Sequence, residues 1–569
     1  MRLERLQLIG EFKNLKGTTD EPFEYTFPSP SSEETGLNPI CLVGLNGSGK
    51  SNLIELIADI FSYADRYFNQ LYRCEEDLGY DFKINYTINF ENEPKSIQLS
   101  CEDSKIKITT NGRPLFKKHP SFLPSNIFAY SSGLNQGLSS IFAKNQIAFF
   151  DVIRKQNSFY KQYDALYSTL KGNENDQHIT DNLNILFDKT LRQTPKLFRG
   201  ARRVEDKNNK YDLDIALDSI PVELPISHYF EHQTSQLAFI FLSILNKQSF
   251  SDFLLNEINV SKLISFKIDV HLNSYRNFDS VSVEVKRLFE LSDNSEDSFN
   301  LDKNTGLLHF TLGDNFSSKL DLLYADIKTF YNSLLFLTLL SAQKWSTDEK
   351  KSLRTSKYIK NVPNVSGGNP PIRLLNVEIE LSEPNVLTTY DRLSDGEHQL
   401  IQLMSALLVD QVGQSLFIFD EPESHFNPEW RSEFLSLIEK YTDISNSELI
   451  ISTHSPFIVS ACRANRMLRF NKEDGHIIIS RMNVETYGAA FDTLLKSVFY
   501  FDALISKKPV EEIKNILENE PTNAEELESL LRKLEQFGES FELNYKKNLL
   551  QNMDFSRLKS LPSYPEGDE

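Results

Sequence analysis

The chain has 569 residues, of which 40% are hydrophobic and 25% charged, so it carries enough apolar surface for several packed layers. Lysine and arginine number 61 against 80 acidic residues, which gives a formal net charge of −19. This balance excludes a polybasic protein that coats nucleic acid nonspecifically, although it leaves room for a local basic patch.

The distribution of apolar residues and cysteines predicts a cytoplasmic protein. No apolar run reaches the ~18 residues that a membrane span needs, and residues 1–5 do not resemble the start of a signal peptide. The cysteines, at positions 41, 74, 101 and 462, form no C-x-x-C pair, so they predict neither a disulfide framework nor a zinc site. We therefore expect no membrane contact.

The first strongly patterned segment joins a buried strand to a helix through a glycine-rich loop. Residues 40–43 are wholly apolar, as in a strand covered on both faces of a parallel sheet. The loop GLNGSGKS follows, and apolar residues then recur at helical spacing from 53 to 64. This order satisfies G-x-x-x-x-G-K-[ST] in the structural context that binds phosphate.

The loop supplies groups that bind the phosphates of ATP. Its glycines let consecutive backbone N–H groups face one phosphate, Lys50 neutralises the β- and γ-phosphates, and the Ser51 hydroxyl is a ligand for Mg²⁺. The predicted ATP-binding residues of this segment are Gly44, Asn46, Gly47, Gly49, Lys50, Ser51 and Asn52.

The next parallel-sheet signals come only past residue 375, so we expect a sheet built from two pieces of chain with an insertion between them. The insertion has helical patterns at 143–170, 224–257 and 320–340, and strand-like alternation at 266–272 and 281–285. Sustained heptads are absent, which predicts a compact α+β subdomain and not a coiled-coil arm.

Beyond the insertion, two acidic residues end a buried strand. The apolar run 416–419 leads into Asp420 and Glu421. Ligands collect at strand tips of open α/β sheets, so we predict that Asp420 holds Mg²⁺ and that Glu421 polarises an attacking water. A third strand at 449–451 ends near His454, which is placed to hydrogen-bond a γ-phosphate.

These signals predict an α/β fold: a split ATPase head, a compact α+β insertion and a helical tail. The predicted domains are the head with the glycine-rich loop (1–142), the insertion (143–370), the second part of the head (371–506) and an acidic helical tail (507–569). The tail has an apolar stripe at 513–517 and 527–534, which either docks a partner or packs onto the head.

As a set, the segments GLNGSGKS, LSDGE, LFIFDEPESHFNP and ISTHSP resemble the ABC-type ATPase heads of the SMC, Rad50, RecF and OLD group. The resemblance covers about the first 65 residues and residues 375–505. It implies that Glu421 and His454 are catalytic, that Ser51 and Asp420 bind Mg²⁺, and that Ser394 and Gly396 contact the γ-phosphate of the opposite subunit. The family has a second glycine where this chain has Asp395. A Q-loop glutamine is placed at Gln136.

The compact insertion, the segment LPSNIFAYSSG and the run TYGAAF are similar to PtuA-type ATPases of bacterial Septu and retron antiphage systems. This resemblance implies an HNH nuclease as partner, and a complex with a reverse transcriptase and its msDNA in the retron case. The ABC-type resemblance implies a homodimer or higher oligomer with ATP sites shared between subunits. The alternative is a RecF-like DNA-repair ATPase without a nuclease partner. An ABC transporter subunit is disfavoured by the long insertion.

Other patterns carry weaker predictions. His228 and His232 are four residues apart, but a partly buried helix face explains them better than a metal site. The Glu284–Lys286 triplet is read as alternating charge on a strand.

Two basic clusters, at 192–210 and 344–360, fit either solvated loops or contact with DNA or RNA. The residues predicted for nucleic acid are Arg199, Arg202 and Arg203.

Overall fold

The fold was analysed in a computed structural model of the whole chain. The structure describes residues 1–28, 37–68, 78–91, 93–114, 122–132, 137–172, 178, 181–182, 185–186, 224–275, 279–294, 299–355, 370–383, 386–410, 413–473, 476–500, 506–518, 521 and 524–551. The chain divides into two compact units, Met1–Ala489 and Ala490–Glu569, called the first and second unit below. The predicted tail, 507–569, lies within the second unit.

Within the described residues, the strands are β1 (Arg2–Phe12), β2 (Leu15–Gly17), β3 (Phe23–Thr26), β4 (Ile40–Gly44), β5 (Tyr80–Phe90), β6 (Glu93–Glu102), β7 (Lys105–Thr110), β8 (Arg113–Pro114), β9 (Ile127–Ser131), β10 (Ser227–Tyr229), β11 (Val260–His271), β12 (Phe299–Asn300), β13 (Thr305–Thr311), β14 (Ile372–Leu381), β15 (Val386–Thr389), β16 (Leu416–Asp420), β17 (Glu448–Ser452), β18 (Met467–Glu473) and β19 (His476–Arg481). The helices are α1 (Lys50–Phe68), α2 (Gly137–Gly172), α3 (His232–Leu245), α4 (Gln248–Glu257), α5 (Asp279–Leu291), α6 (Asp314–Leu323), α7 (Ile327–Leu339), α8 (Thr347–Thr355), α9 (Asp395–Leu408), α10 (Pro428–Tyr441), α11 (Pro456–Ser460), α12 (Phe491–Ser497), α13 (Lys507–Leu517), α14 (Ala524–Leu534) and α15 (Phe541–Gln551). Short 3₁₀ turns lie at Asn273–Tyr275, Leu340–Lys344, Tyr390–Arg392 and Ala464–Arg466.

A mainly parallel sheet forms the centre of the first unit, in the order β10-β9-β16-β17-β4-β18-β19. All neighbours are parallel except β18 and β19. Strands β4, β9, β16 and β17 are buried along their whole length, which explains their continuous apolar runs. Their carboxyl ends meet at one edge of the sheet, where α/β proteins bind ligands.

An antiparallel sheet, in the order β2-β1-β5-β6-β7-β8 with β3 paired to β1, covers α1 from the other side. One apolar core contains residues of this sheet, of α1 and of the parallel sheet. Nearly every residue of α1 is buried, including Glu55, Asp59 and Arg66. Burial between two sheets fixes the helix that follows the glycine-rich loop.

The expectation of a parallel sheet made from only two distant pieces was wrong. Strand β9 pairs with β16, and β10 pairs with β9, so segments at 127–131 and 227–229 also belong to this sheet. The short apolar run of β9 and the three-residue length of β10 give weak sequence signals.

The third sheet is antiparallel, in the order β12-β13-β11-β14-β15. Strand β11 pairs with β13 from the insertion and with β14, which follows residue 371. The insertion and the later part of the chain therefore share this sheet.

Three local predictions in the insertion were wrong. Residues 281–285 lie in helix α5, because Val281, Val285 and Leu288 are fully buried at helical spacing; the Glu284–Lys286 triplet is thus helical. The predicted helix 320–340 is two helices, since Asp326 caps α7 by accepting a hydrogen bond from Thr329 N.

The segment 224–257 was also predicted as helix, but it begins with β10 and continues with α3 and α4. His228 lies in β10, whereas His232 is the first residue of α3. The two histidines therefore do not share a helix face. The described residues contain no cluster of three or more metal-ligating side chains.

The second unit has an apolar core of its own. Leu534, Leu543 and Leu550 are buried together, and partly buried apolar residues pack against them: Phe537 and the predicted stripe residues Ile513, Ile516, Leu517, Leu527, Leu530 and Leu531. The stripe is therefore partly buried by helices of the same unit.

Candidate functional site

The glycine-rich loop lies at the carboxyl edge of the parallel sheet, between β4 and α1. Gly44 and Gly49 both have positive φ, at 148° and 103°. A Cβ on Gly44 would lie 2.4 Å from the Phe470 carbonyl oxygen, so a side chain is excluded there. Leu45, Asn46 and Gly47 form the exposed rim of the loop.

Lys50 lies inside the loop and is only 5% exposed. Its ammonium donates hydrogen bonds to Gly44 O at 3.0 Å and Leu45 O at 3.4 Å, and its Nζ is 2.8 Å from His454 Nε2. Burial lowers the pKa of Lys50, while Glu421 and Asp420 oppose that shift. A positive charge is thus held within the cradle of backbone groups.

Ser51 and Asp420 come together as the sequence predicts. Ser51 Oγ donates to Asp420 Oδ2 at 3.1 Å, and Ser452 Oγ donates to the same carboxylate. Asp420 is 5% exposed and ends β16, next to the strand that carries Ser452. A hydroxyl and a carboxylate are hard oxygen ligands of the kind that Mg²⁺ prefers, so this pair fits a magnesium ion.

Glu421 has a φ of 52°, in the left-handed region that few residues except glycine adopt. Its backbone N–H donates to Ser452 O at 3.0 Å, which holds the residue at the sheet edge. Burial, and then the neighbouring Asp420, raise the pKa of its carboxyl. Strained backbone and a raised pKa are both features of catalytic acids and bases.

His454 lies between Lys50 and Glu421. Its Nε2 is 3.6 Å from Glu421 Oε1. Burial, and then the Lys50 charge, lower the pKa of His454 to about 4. The imidazole is therefore neutral at pH 7, and its Nε2 accepts a hydrogen bond from Lys50.

The lowered pKa of His454 predicts a pH-dependent stability. The ordinary value is 6.5, so as the pH falls the unfolded chain takes up the proton first, and stability is lost between about pH 6.5 and 4. His454→Gln keeps a hydrogen-bond acceptor but does not titrate. We expect the melting temperature of the unmodified chain, relative to that of His454→Gln, to fall as the pH goes from 7 to 5. A constant difference would show that His454 is not buried beside Lys50.

Glu423 is a site residue that the sequence reasoning missed. It is 5% exposed, accepts a hydrogen bond from the Thr453 hydroxyl, and accepts another from His454 N at 3.3 Å. Burial raises its pKa. The Glu423 carboxyl thus holds the loop that carries His454. The sequence feature that could have indicated this residue is a second acidic residue two positions after Glu421.

Lys13 is the other missed residue. It follows β1 with a φ of 54° and pairs with the buried Glu55 of α1. Burial lowers the pKa of Lys13, while Asp59 and Asp420 favour its charged form, so a second cation lies near Asp420. In the sequence, Lys13 is only a single lysine after a predicted strand, and nothing in that pattern indicates that it lies near Asp420.

The LSDGE segment forms the start of α9. Ser394 accepts a hydrogen bond from Glu397 N, and the Glu397 side chain accepts one from Ser394 N at 2.6 Å, which is a capping box. A Cβ on Gly396 would lie 3.0 Å from the His425 carbonyl oxygen. Among the described residues, no hydrogen bond joins Ser394 or Gly396 to the glycine-rich loop.

Gln399 connects α9 to the strands of the sheet. It is 3% exposed and donates to Tyr130 OH at 2.7 Å and to Ser424 Oγ at 3.2 Å. It also accepts from His425 N at 2.9 Å. The start of α9 is therefore fixed relative to the loop after Asp420.

The predicted nucleic-acid residues Arg199, Arg202 and Arg203, and Gln136, lie outside the described residues. In the second basic cluster, Arg354 forms a bidentate pair with Asp151 at 2.7 and 2.8 Å. Lys350 lies 5.3 Å from the centre of the Phe150 ring. These two cations of α8 are thus engaged with α2.

A glycine-rich loop between a buried parallel strand and a helix, with Lys50, Ser51 and Asp420 side by side, defines a P-loop ATPase. The chain belongs to the family described as "AAA domain, putative AbiEii toxin, Type IV TA system", whose model matches residues 40–460. It is thus an ATPase of the AAA type.

Similarity to individual proteins is more limited. Protein ea59 of Escherichia phage lambda is 30% identical over 169 residues, which are 29% of this chain and 32% of that protein. The chain thus spans about a third of the length of this curated relative.

Two similar solved structures are SMC heads. The SMC head domain from Thermotoga maritima has 13% identity and a TM-score of 0.29, and covers 85% of this chain and 100% of that one. The SmcHead bound to the C-winged helix domain of ScpA has 11% identity and a TM-score of 0.30, and the match covers 85% of this chain and 98% of that one.

In the part of the chain that the structure describes, none of the helices combines the length and the apolar character that a bilayer crossing requires.

Proposed function

We propose that the chain is an ABC-type ATPase of an antiphage defence system, whose ATP-dependent pairing gates a partner nuclease. The observation that carries the proposal is the split of the site: Lys50, Asp420, Glu421 and His454 converge at one sheet edge, whereas Ser394 has no hydrogen bond to them among the described residues. A second copy would bring its own Ser394 to the phosphates.

Each residue has a defined role in hydrolysis. Lys50 and the loop N–H groups hold the β- and γ-phosphates, and His454, neutral at pH 7, hydrogen-bonds the γ-phosphate. Glu421 accepts the proton of the attacking water, which its raised pKa favours. Ser51 and Asp420 would hold Mg²⁺, which neutralises phosphate charge when bound.

Mixing of two inactive variants tests the shared site. Lys50→Ala removes the phosphate charge partner but leaves the LSDGE segment intact. Ser394→Asp keeps a good N-cap residue but places a negative charge against the γ-phosphate. We expect each variant alone to be inactive, and a mixture to recover at most about a quarter of the ATPase activity, because half of the pairs are mixed and each has one intact site.

The control is a mixture of Lys50→Ala with Asp420→Asn, which both damage the same half of the site and should not complement. Sites completed within one chain would leave the first mixture as inactive as its components. That outcome would contradict the proposal that two subunits share each ATP site.

The defence role and the nuclease partner have separate support. The family description refers to a putative toxin of a Type IV TA system, a kind of system to which defence roles are related. The resemblance of the insertion and of TYGAAF to PtuA-type ATPases indicates an HNH nuclease or a retron complex as the second component. A RecF-like repair role would need no such partner.

The second unit is the proposed docking element for the nuclease. Its own core partly buries the apolar stripe, but Tyr545 and Leu549, four residues apart on α15, are 56% and 49% exposed. We expect deletion of residues 508–569, and also Tyr545→Ser with Leu549→Ser, to abolish co-purification of a co-expressed HNH protein while ATP binding is retained. Unchanged co-purification in both variants would place the nuclease contact on the first unit.

A further inference from the structure

A cavity of about 300 Å³ lies in the first unit between α2, the segment 224–234 and the end of α7. This volume is within the range of small-molecule sites. Its lining does not include Lys50, Asp420 or Glu421, so it is distinct from the phosphate site. Its lining includes all three residues of β10, the strand two places from β16 in the parallel sheet.

Two side chains that line the cavity carry hydrogen-bonding atoms without partners. Trp345 is 5% exposed, and its buried Nε1–H has no acceptor among the described residues. Gln146 uses its amide nitrogen to donate to Leu339 O at 3.2 Å and Ser341 Oγ at 2.6 Å, which leaves its Oε1 as an acceptor. An unpaired buried donor is unfavourable, so a ligand that accepts a hydrogen bond from it is stabilised.

His228 is a polar group of the cavity that favours an uncharged state. It stacks on Phe128 with ring centres 5.3 Å apart, and burial lowers its pKa to about 4. Glu231 also lines the cavity, but this residue is exposed, and it precedes α3 without capping it through its side chain. Among the described residues that line the cavity none is a lysine or an arginine, and the Glu231 carboxylate would repel a phosphate or carboxylate ligand.

The walls are partly aromatic. Phe142, Tyr229 and Trp345 line the cavity together with Leu335. Aromatic walls with a few unpaired donors and acceptors suit a flat ring that has hydrogen-bonding groups on its edge. A charged or purely aliphatic ligand would leave one part of this lining unpaired.

We propose that this cavity binds an uncharged planar heterocycle of the nucleobase or nucleoside class. The ring packs between the aromatic side chains. The edge of the ligand accepts from Trp345 Nε1–H and donates to Gln146 Oε1. The site is independent of the proposed ATPase site, because it uses none of the same residues.

Trp345 provides a direct measurement, since the chain has only two tryptophans. Trp430→Phe leaves Trp345 as the single reporter, and the added change Lys50→Ala removes phosphate binding at the glycine-rich loop. We expect adenosine, guanosine, cytidine or uridine, titrated singly, to change Trp345 emission saturably for at least one of the four. Calorimetric titration of the Lys50→Ala chain with the same nucleosides gives the same test if Trp430→Phe does not fold.

Two variants then locate the ligand. Ala143→Leu adds bulk to the cavity wall, and Gln146→Met removes the amide at similar length. Each is expected to weaken binding at least about tenfold. Gln162→Met, on an exposed position of the same helix α2, is the matched control and should bind normally. The proposal is overturned by no saturable signal from any nucleoside up to millimolar concentration, or by normal affinity in both cavity variants.

Discussion

The Glu421→Gln protein is expected to bind Mg-ATP as tightly as the unmodified chain and to hydrolyse it at least about a hundredfold more slowly. Glutamine keeps the size of the side chain at this left-handed position, but it does not accept the proton of the attacking water. The loop that binds phosphate is untouched, so affinity is retained. By the same reasoning, Mg-ATP should hold this variant as a stable pair, which light scattering measures.

Two variants make the result specific. Lys50→Ala removes a buried charge that we propose pairs with the phosphates, so we expect at least about tenfold weaker ATP binding and no pairing of subunits. Glu429→Gln, on the exposed start of α10, should behave as the unmodified chain in phosphate release. If Glu421→Gln hydrolyses ATP at the normal rate, Glu421 is not the proton acceptor. If it also scatters light like Lys50→Ala, the shared-site proposal is wrong.

The parts of the fold that were predictable are those with strong local signals. The strands β4, β16 and β17 are apolar because both of their faces are covered, and the segment 44–51 fixes a strand, loop and helix by its own sequence. The start of α10 likewise depends on local sequence, because Asn427 caps the helix by accepting a hydrogen bond from Trp430 N. These features depend on neighbours in sequence.

The missed elements depend on distant partners. Strand β10 has three residues and exists because β9 pairs with it. Helix α5 was mistaken for a strand because a five-residue window shows alternation, whereas its helical spacing becomes clear only when Leu288 is included.

The site shows the same division. Lys50, Ser51, Asp420 and His454 lie where their motifs indicated, because each motif ends a strand of one sheet. The roles proposed for them remain predictions. Glu423 accepts a hydrogen bond from the hydroxyl of Thr453, which lies 30 residues later in the chain. No pattern in a single sequence links two such residues.

A buried ion pair between β17 and the 3₁₀ turn before β18 provides the largest expected effect on stability. Arg466 and Glu448 are 1% and 0% exposed at their side chains. Glu448 also accepts from Leu3 N at 2.8 Å, and Arg466 also donates to Asn38 O at 3.2 Å. The pair thus connects β1, β17 and the chain before β4. None of these partners was visible in the sequence.

Glu448→Ala is expected to lower the free energy of unfolding of the first unit by about 3–5 kcal/mol, because it leaves the Arg466 charge buried without its partner. Both tryptophans, Trp345 and Trp430, lie in the first unit, so denaturant titration followed by their fluorescence reports on this unit. The removal of both charges, in Glu448→Leu with Arg466→Met, should restore part of the loss, since no uncompensated charge remains.

The matched control is Glu102→Ala, which removes the exposed partner of Lys107 between β6 and β7. Solvent screens that pair, so the stability of the first unit should stay nearly unchanged. If Glu448→Ala were as mild as Glu102→Ala, water would have to reach the Arg466 guanidinium, and β17 would then be held by its strand pairing alone. The double variant could instead have a lower free energy of unfolding than Glu448→Ala. In that case Arg466 would stabilise the first unit mainly through its hydrogen bond to Asn38 O, and the ion pair with Glu448 would contribute less.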